Sequence, residues 1–160
     1  MKRLLVLLLI PLFSFGQTYD DIMSINSLDT WKKVVIENDY EYVEWDDDEE
    51  DNDWVTYGYK DSNNSSVQTM SAYNVMDGRF SFQIPMRGDN GFGVVRATEM
   101  SKIYHSITKK IKANCDYSEI INYKGSDFVV YTCSNRKYGF AIGTSGNGIV
   151  RYFPDGVTDE

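Results

Sequence analysis

His105 is the only histidine in the chain. Acid–base or nucleophilic work by a lone histidine needs an acid or a hydroxyl that the fold must bring to it. It lies between Ile103 and Ile107, apolar positions of a helical pattern, so it belongs on the helix flank and faces solvent. The two cysteines are Cys115 and Cys133. An even count in an exported chain points to one disulfide, which leaves no thiolate to act with His105. A zinc site asks for about four nitrogen or sulfur ligands, more than this chain offers. No residue is assigned as catalytic or metal-ligating, and no cofactor is expected.

Three other stretches suggest chemistry at first sight. Asp46 to Asp53 clusters carboxylates, the ligands hard cations prefer, but it lacks the glycine and closing glutamate of a calcium loop. It holds no apolar residue and reads as a solvated, metal-free, mobile loop. Gly143-Thr144-Ser145-Gly146-Asn147-Gly148 looks like a phosphate cradle, but a strand-like stretch follows it where a cradle needs a helix N-terminus, so it is read as a hairpin turn. Arg87-Gly88-Asp89 and the Asn-x-Ser sites at Asn63 and Asn64 are short matches of the kind chance supplies; the asparagines matter only where the exporting cell glycosylates.

The elements that must position any site are legible from the pattern. Met1 to Gly16 carries Lys2 and Arg3, then an apolar run from Leu4 to Phe13, then small residues at Ser14 and Gly16. That is the layout of a signal peptide cleaved after Gly16, and the run is too short to span a bilayer. The mature chain is expected to be secreted or periplasmic, with no transmembrane segment. Losing Lys2 and Arg3 takes the net charge from −8 to −10, which disfavours nucleic acid as a partner. Thr18 to Ile25 suggests a short helical turn, and Ser27 caps a helix carrying Leu28, Trp31 and Val35. Strands are expected at 40–45, 54–60, 66–76 and 79–84, with Asp77-Gly78 as a two-residue hairpin.

Residues 87–97 read as a linker with a short strand at Val94-Val95. A second helix, capped at Thr98 or Ser101, carries Met100, Ile103, Ile107 and Ile111, flanked by Tyr104. Strands then follow at 118–123, 127–133, 138–143 and 148–153, and 155–160 is a polar tail. The second half echoes the first. Lys32-Lys33 and Asp39-Tyr40 recur at Lys109-Lys110 and Asp116-Tyr117, about 77 residues on, and the strand opening Trp54-Val55 recurs at Phe128-Val129. The plainer alternative is two amphipathic helices that look alike. The expected architecture is a two-layer α+β fold: an antiparallel sheet with helices on one face, built as tandem helix-plus-four-strand halves at 17–86 and 98–154. This order and length of elements is similar to the tandem helix-plus-sheet secreted inhibitors of the β-lactamase inhibitory protein type. That resemblance implies binding through the exposed sheet face, and no shared motif carries a functional residue across.

Strand alternation puts Val55, Tyr57 and Tyr59, with Val129, Tyr131 and Cys133, on the face the helices cover. Trp54 and Phe128 then fall on the face without helices, where large aromatics are candidate anchors for a partner. Cys115 follows Ile111 by four residues and so shares the helix's core side, directly over Cys133. The function expected is an exported, non-catalytic binding or protein-interaction module that engages another protein or an envelope component. The alternatives are a small hydrolase, or other enzyme, assembled only in three dimensions, and a structural envelope component.

Overall fold

Thr18 and Ser27 each begin a helix by the same device. The Thr18 hydroxyl accepts from the Asp21 amide while the Asp21 carboxylate accepts from the Thr18 amide. Ser27 and Thr30 repeat the exchange, so donors that would be orphaned at each helix start are satisfied. The computed structural model describes residues 17–43, 53–60, 67–86 and 94–154. The helices are α1 (Tyr19–Ser24), α2 (Leu28–Glu37) and α3 (Val94–Asn114). The strands are β1 (Glu41–Tyr42), β2 (Trp54–Lys60), β3 (Val67–Asn74), β4 (Phe80–Ile84), β5 (Asp116–Tyr123), β6 (Ser126–Cys133), β7 (Arg136–Ile142) and β8 (Gly148–Phe153). The expected signal peptide, most of the acidic run, Asn63 and Asn64, Arg87-Gly88-Asp89 and the polar tail lie outside the described residues.

All eight described strands form one antiparallel sheet in the order β1-β2-β3-β4-β8-β7-β6-β5. Each set of four consecutive strands is a meander, and the last strands of the two sets pair in the middle, Phe82 opposite Val150. The α+β class and the antiparallel sheet are as the pattern indicated. Two local readings are corrected. Val94 and Val95 are helical, not strand, so α3 starts ahead of Thr98 and Ser101; two β-branched residues are poor evidence for a strand beside a long helical stripe. Asp77-Gly78 is not a two-residue hairpin but part of a four-residue loop between Asn74 and Arg79, with Gly78 at φ +75°. The two-residue turns are Lys124-Gly125 and Ser134-Asn135, all four at positive φ, which suits the strand twist.

Alternate strand residues build the core. Tyr59, Tyr73, Phe80, Phe82, Tyr138, Phe140 and Val150 are buried in one cluster with Ile22, Trp31, Val35, Tyr104, Ile107 and Ile111 from the three helices. Val55, Tyr57, Val129, Tyr131 and Cys133 belong to the same cluster, which is the face assigned to the helices from alternation. Trp31 is its largest fully buried side chain; its Nε1 donates to Ser71 Oγ at 2.9 Å, and that hydroxyl donates on to the Ser81 carbonyl at 3.0 Å. Cys115 and Cys133 form the expected disulfide, with Cα atoms 4.7 Å apart, pinning the end of α3 to β6. The short helix α1 also docks on the second set of elements. Lys110 Nζ lies 3.6 Å from Asp20 Oδ2, and Arg136 Nη1 donates to the Ile25 carbonyl at 2.6 Å, capping the helix end from β7.

Candidate functional site

Trp54 opens β2 opposite Asn74, the last residue of β3. Asn74 also folds the loop that follows: its Oδ1 accepts from the amides of Met76 and Asp77 at 3.0 and 3.1 Å. Asp77 Oδ1 accepts from the Arg79 amide at 2.9 Å, and the Val75 amide donates to the Asp53 carbonyl at 2.8 Å. These bonds tie the loop to the start of β2 and bring Arg79 over Trp54, its guanidinium carbon 5.7 Å from the ring centroid. Arg79 Nε lies 2.6 Å from Asp77 Oδ2, a charge contact off the hydrogen-bond axis.

A second arginine comes from β8. Arg151 sits with its guanidinium carbon 3.9 Å from the Tyr123 ring centroid and 5.8 Å from those of Trp54 and Phe153. Arg151 is only 8% exposed, and its buried Nε has no hydrogen-bond partner. Burial pushes the guanidinium below its ordinary value; the adjacent Tyr123 pulls it back up, and the Arg79 charge adds to the downward push. An arginine keeps its proton under such shifts, so with the Asp77 carboxylate beside Arg79 the site carries about one net positive charge close to a half-buried indole.

Phe128 belongs to the same face but is not displayed on it. It is 2% exposed, in a small second cluster with Val130, Ala141 and Phe153, against which Ile121, Tyr123 and Ile149 pack. Gly139 makes this possible, since a Cβ there would stand 2.7 Å from Phe153 Cε2 and 3.2 Å from Phe128 Cβ. The face without helices therefore carries its own apolar patch, and Phe128 supports it from within while Trp54 is partly open. His105 is exposed on α3, 5.6 Å from the Tyr104 ring, and α3 packs on the opposite face of the sheet from Trp54. Among the described residues, no group of three or more His, Cys, Asp or Glu is placed to hold a metal ion. No helix of the described residues is long and apolar enough to cross a membrane.

Arg79, Tyr123 and Arg151 were not singled out by sequence reasoning. Arg151 did leave a signal: it is the one charged residue in the otherwise apolar strand Ile149-Val150-Arg151-Tyr152-Phe153. A guanidinium close to an indole can hold a planar anion such as a carboxylate, as Arg79 already holds Asp77, while the rings take an adjoining apolar group. No family model matches the chain, and neither a curated protein nor a solved structure does.

Proposed function

We propose that the protein is an exported, non-catalytic binding module that uses the helix-free sheet face around Trp54 to hold a protein partner. The reading places it in the secretory or periplasmic space after removal of Met1 to Gly16. Its architecture on this reading is two-layered, with two helix-plus-meander halves joined at β4 and β8; the matching strand order within each half supports that view. One observation carries the functional reading: the guanidinium carbons of Arg79, ion-paired to Asp77, and of the buried Arg151 both lie within 6 Å of the Trp54 ring centroid. On a chain of net charge −8, the charge of Arg151 left over beside the Arg79–Asp77 pair is a local positive spot that suits a carboxylate beside an apolar side chain on the partner.

The test is affinity capture from the native envelope with the mature protein immobilised, run beside Trp54→Ala and Arg79→Gln variants of verified melting temperature. Wild type should retain a partner that both variants lose, and raised salt should weaken its retention. Equal capture by wild type and both folded variants would overturn the assignment.

A further inference from the structure

Gln17 is the first residue after the expected cleavage site, and in the uncleaved chain it is 2% exposed. Its Oε1 lies 3.4 Å from the Tyr40 hydroxyl, which is itself buried and pushed above its ordinary pKa by that burial, so it stays a donor. Its Nε2 is buried with no hydrogen-bond partner. The next residue is already fixed: Thr18 donates through both its amide and its hydroxyl to Asp21 Oδ2, at 2.8 and 2.7 Å. That carboxylate oxygen is thus engaged before any chain terminus needs it.

Cleavage after Gly16 would put an ammonium group on this residue. A buried side-chain NH2 without a partner costs free energy, and so does a charge held close to the core. One reaction removes both. The α-amine nitrogen attacks Cδ of its own side-chain amide, a C–N bond forms, and the Cδ–Nε2 bond breaks. A proton passes from the amine to the leaving nitrogen, which departs as ammonia. No oxidant, reductant or second substrate is consumed. The product is a neutral five-membered lactam, which keeps one carbonyl as an acceptor and loses the unpartnered nitrogen.

We infer that the exported chain begins with pyroglutamate formed from Gln17. The inference rests on the reading that Met1 to Gly16 is removed, and the experiment separates the two. The full-length gene is expressed in its native host, and freshly recovered exported protein is examined by intact mass and by peptide mass spectrometry of its first tryptic fragment. Gln17→Ala serves as the variant unable to cyclise. The expected wild-type fragment starts at residue 17, is short by about 17 Da for lost ammonia, and yields no residue to Edman degradation. Pyroglutamyl aminopeptidase acting on the unfolded chain should expose Thr18, and Gln17→Ala should show an ordinary free amine. A fresh wild-type chain that starts at residue 17 with a free amine would overturn cyclisation while leaving cleavage standing. A chain that retains Met1, or starts elsewhere, would overturn both.

Discussion

Replacing Gly148 by alanine tests how α3 sits on the sheet. Gly148 begins β8 between Ile84 of β4 and Ile142 of β7. An added Cβ would meet the Tyr104 ring at 2.5 Å from Cδ2, 2.7 Å from Cγ and 2.8 Å from Cε2. Carbon atoms rest at about 3.5–4.0 Å, so the ring must retreat by about 1 Å. Tyr104 is poorly placed to do so, being 5% exposed with its hydroxyl donating to the Ala141 carbonyl at 3.0 Å. Overpacking costs about 1–3 kcal/mol, and stranding that carbonyl adds roughly 1–3 kcal/mol if the bond breaks. The smaller entropy loss of alanine on folding offsets about 0.4–1 kcal/mol. The net expectation is a loss of about 2–3 kcal/mol, read as a lower urea midpoint at unchanged m, with the melting temperature down by roughly 6–12 °C. In a Tyr104→Leu background the same substitution should cost at least about 1 kcal/mol less, because the clashing ring is gone. A Gly148→Ala protein within about 0.5 kcal/mol of wild type, or an equal cost in both backgrounds, would refute the packing described here.

Other expectations follow from the core. No thiol should titrate in the unreduced protein, and Cys115→Ser with Cys133→Ser should lower stability by about 3 kcal/mol, the chain-entropy value for the 18-residue separation; two reactive thiols before reduction would contradict the bond. Trp31→Phe empties part of the core and strands Ser71, so a loss of about 2–4 kcal/mol in urea unfolding is expected; a near-neutral result would mean the indole does not hold the two sheet hydroxyl contacts together. Burial pushes Tyr104 and Tyr138 up to about 12 from 10.0. An acid with a raised folded pKa contributes stability that is intact below pH 10 and is lost as pH climbs through 12, so denaturation midpoints should hold to about pH 10 and then fall. Tyrosinate absorbance that develops for all tyrosines with a midpoint near pH 10 while the fold is retained would contradict that burial.

Much of the layout was readable because it obeys periodicity. The stripe Met100, Ile107 and Ile111 marked α3, the alternation Phe80-Phe82-Ile84 marked β4, and facing assigned from alternation put Cys133 under Cys115. The candidate site was readable only in part. Trp54 stood out as a large aromatic on the correct face, but Phe128 looked equivalent to it. Pattern alone could not show that Gly139 lets Phe153 lie across and bury Phe128. Arg79 and Arg151 are 72 residues apart in sequence and meet Trp54 only because β4 pairs with β8, a long-range choice that no local window contains. The Asp77-Gly78 turn was misjudged for a related reason: the Asn74 side chain, not the glycine alone, decides how many residues the loop spends.

The position of β8 bears on how the chain comes into being. The last of the described strands, Gly148–Phe153, is not at a margin of the sheet but between β4 and β7. While the polypeptide is made N-terminus first, the early meander ends on β4 with a row of unpaired amides and carbonyls and the phenylalanines at 80 and 82 beside it. Among the described strands β8 is the one that closes that row, so it stays adhesive until β8 has been made. A holdase that shields apolar strands would have the most to do in that interval, and a nonsense codon between β7 and β8 would leave two sticky half-sheets rather than a slightly shortened protein. The six residues of β8 thus act as the keystone that joins the two meanders.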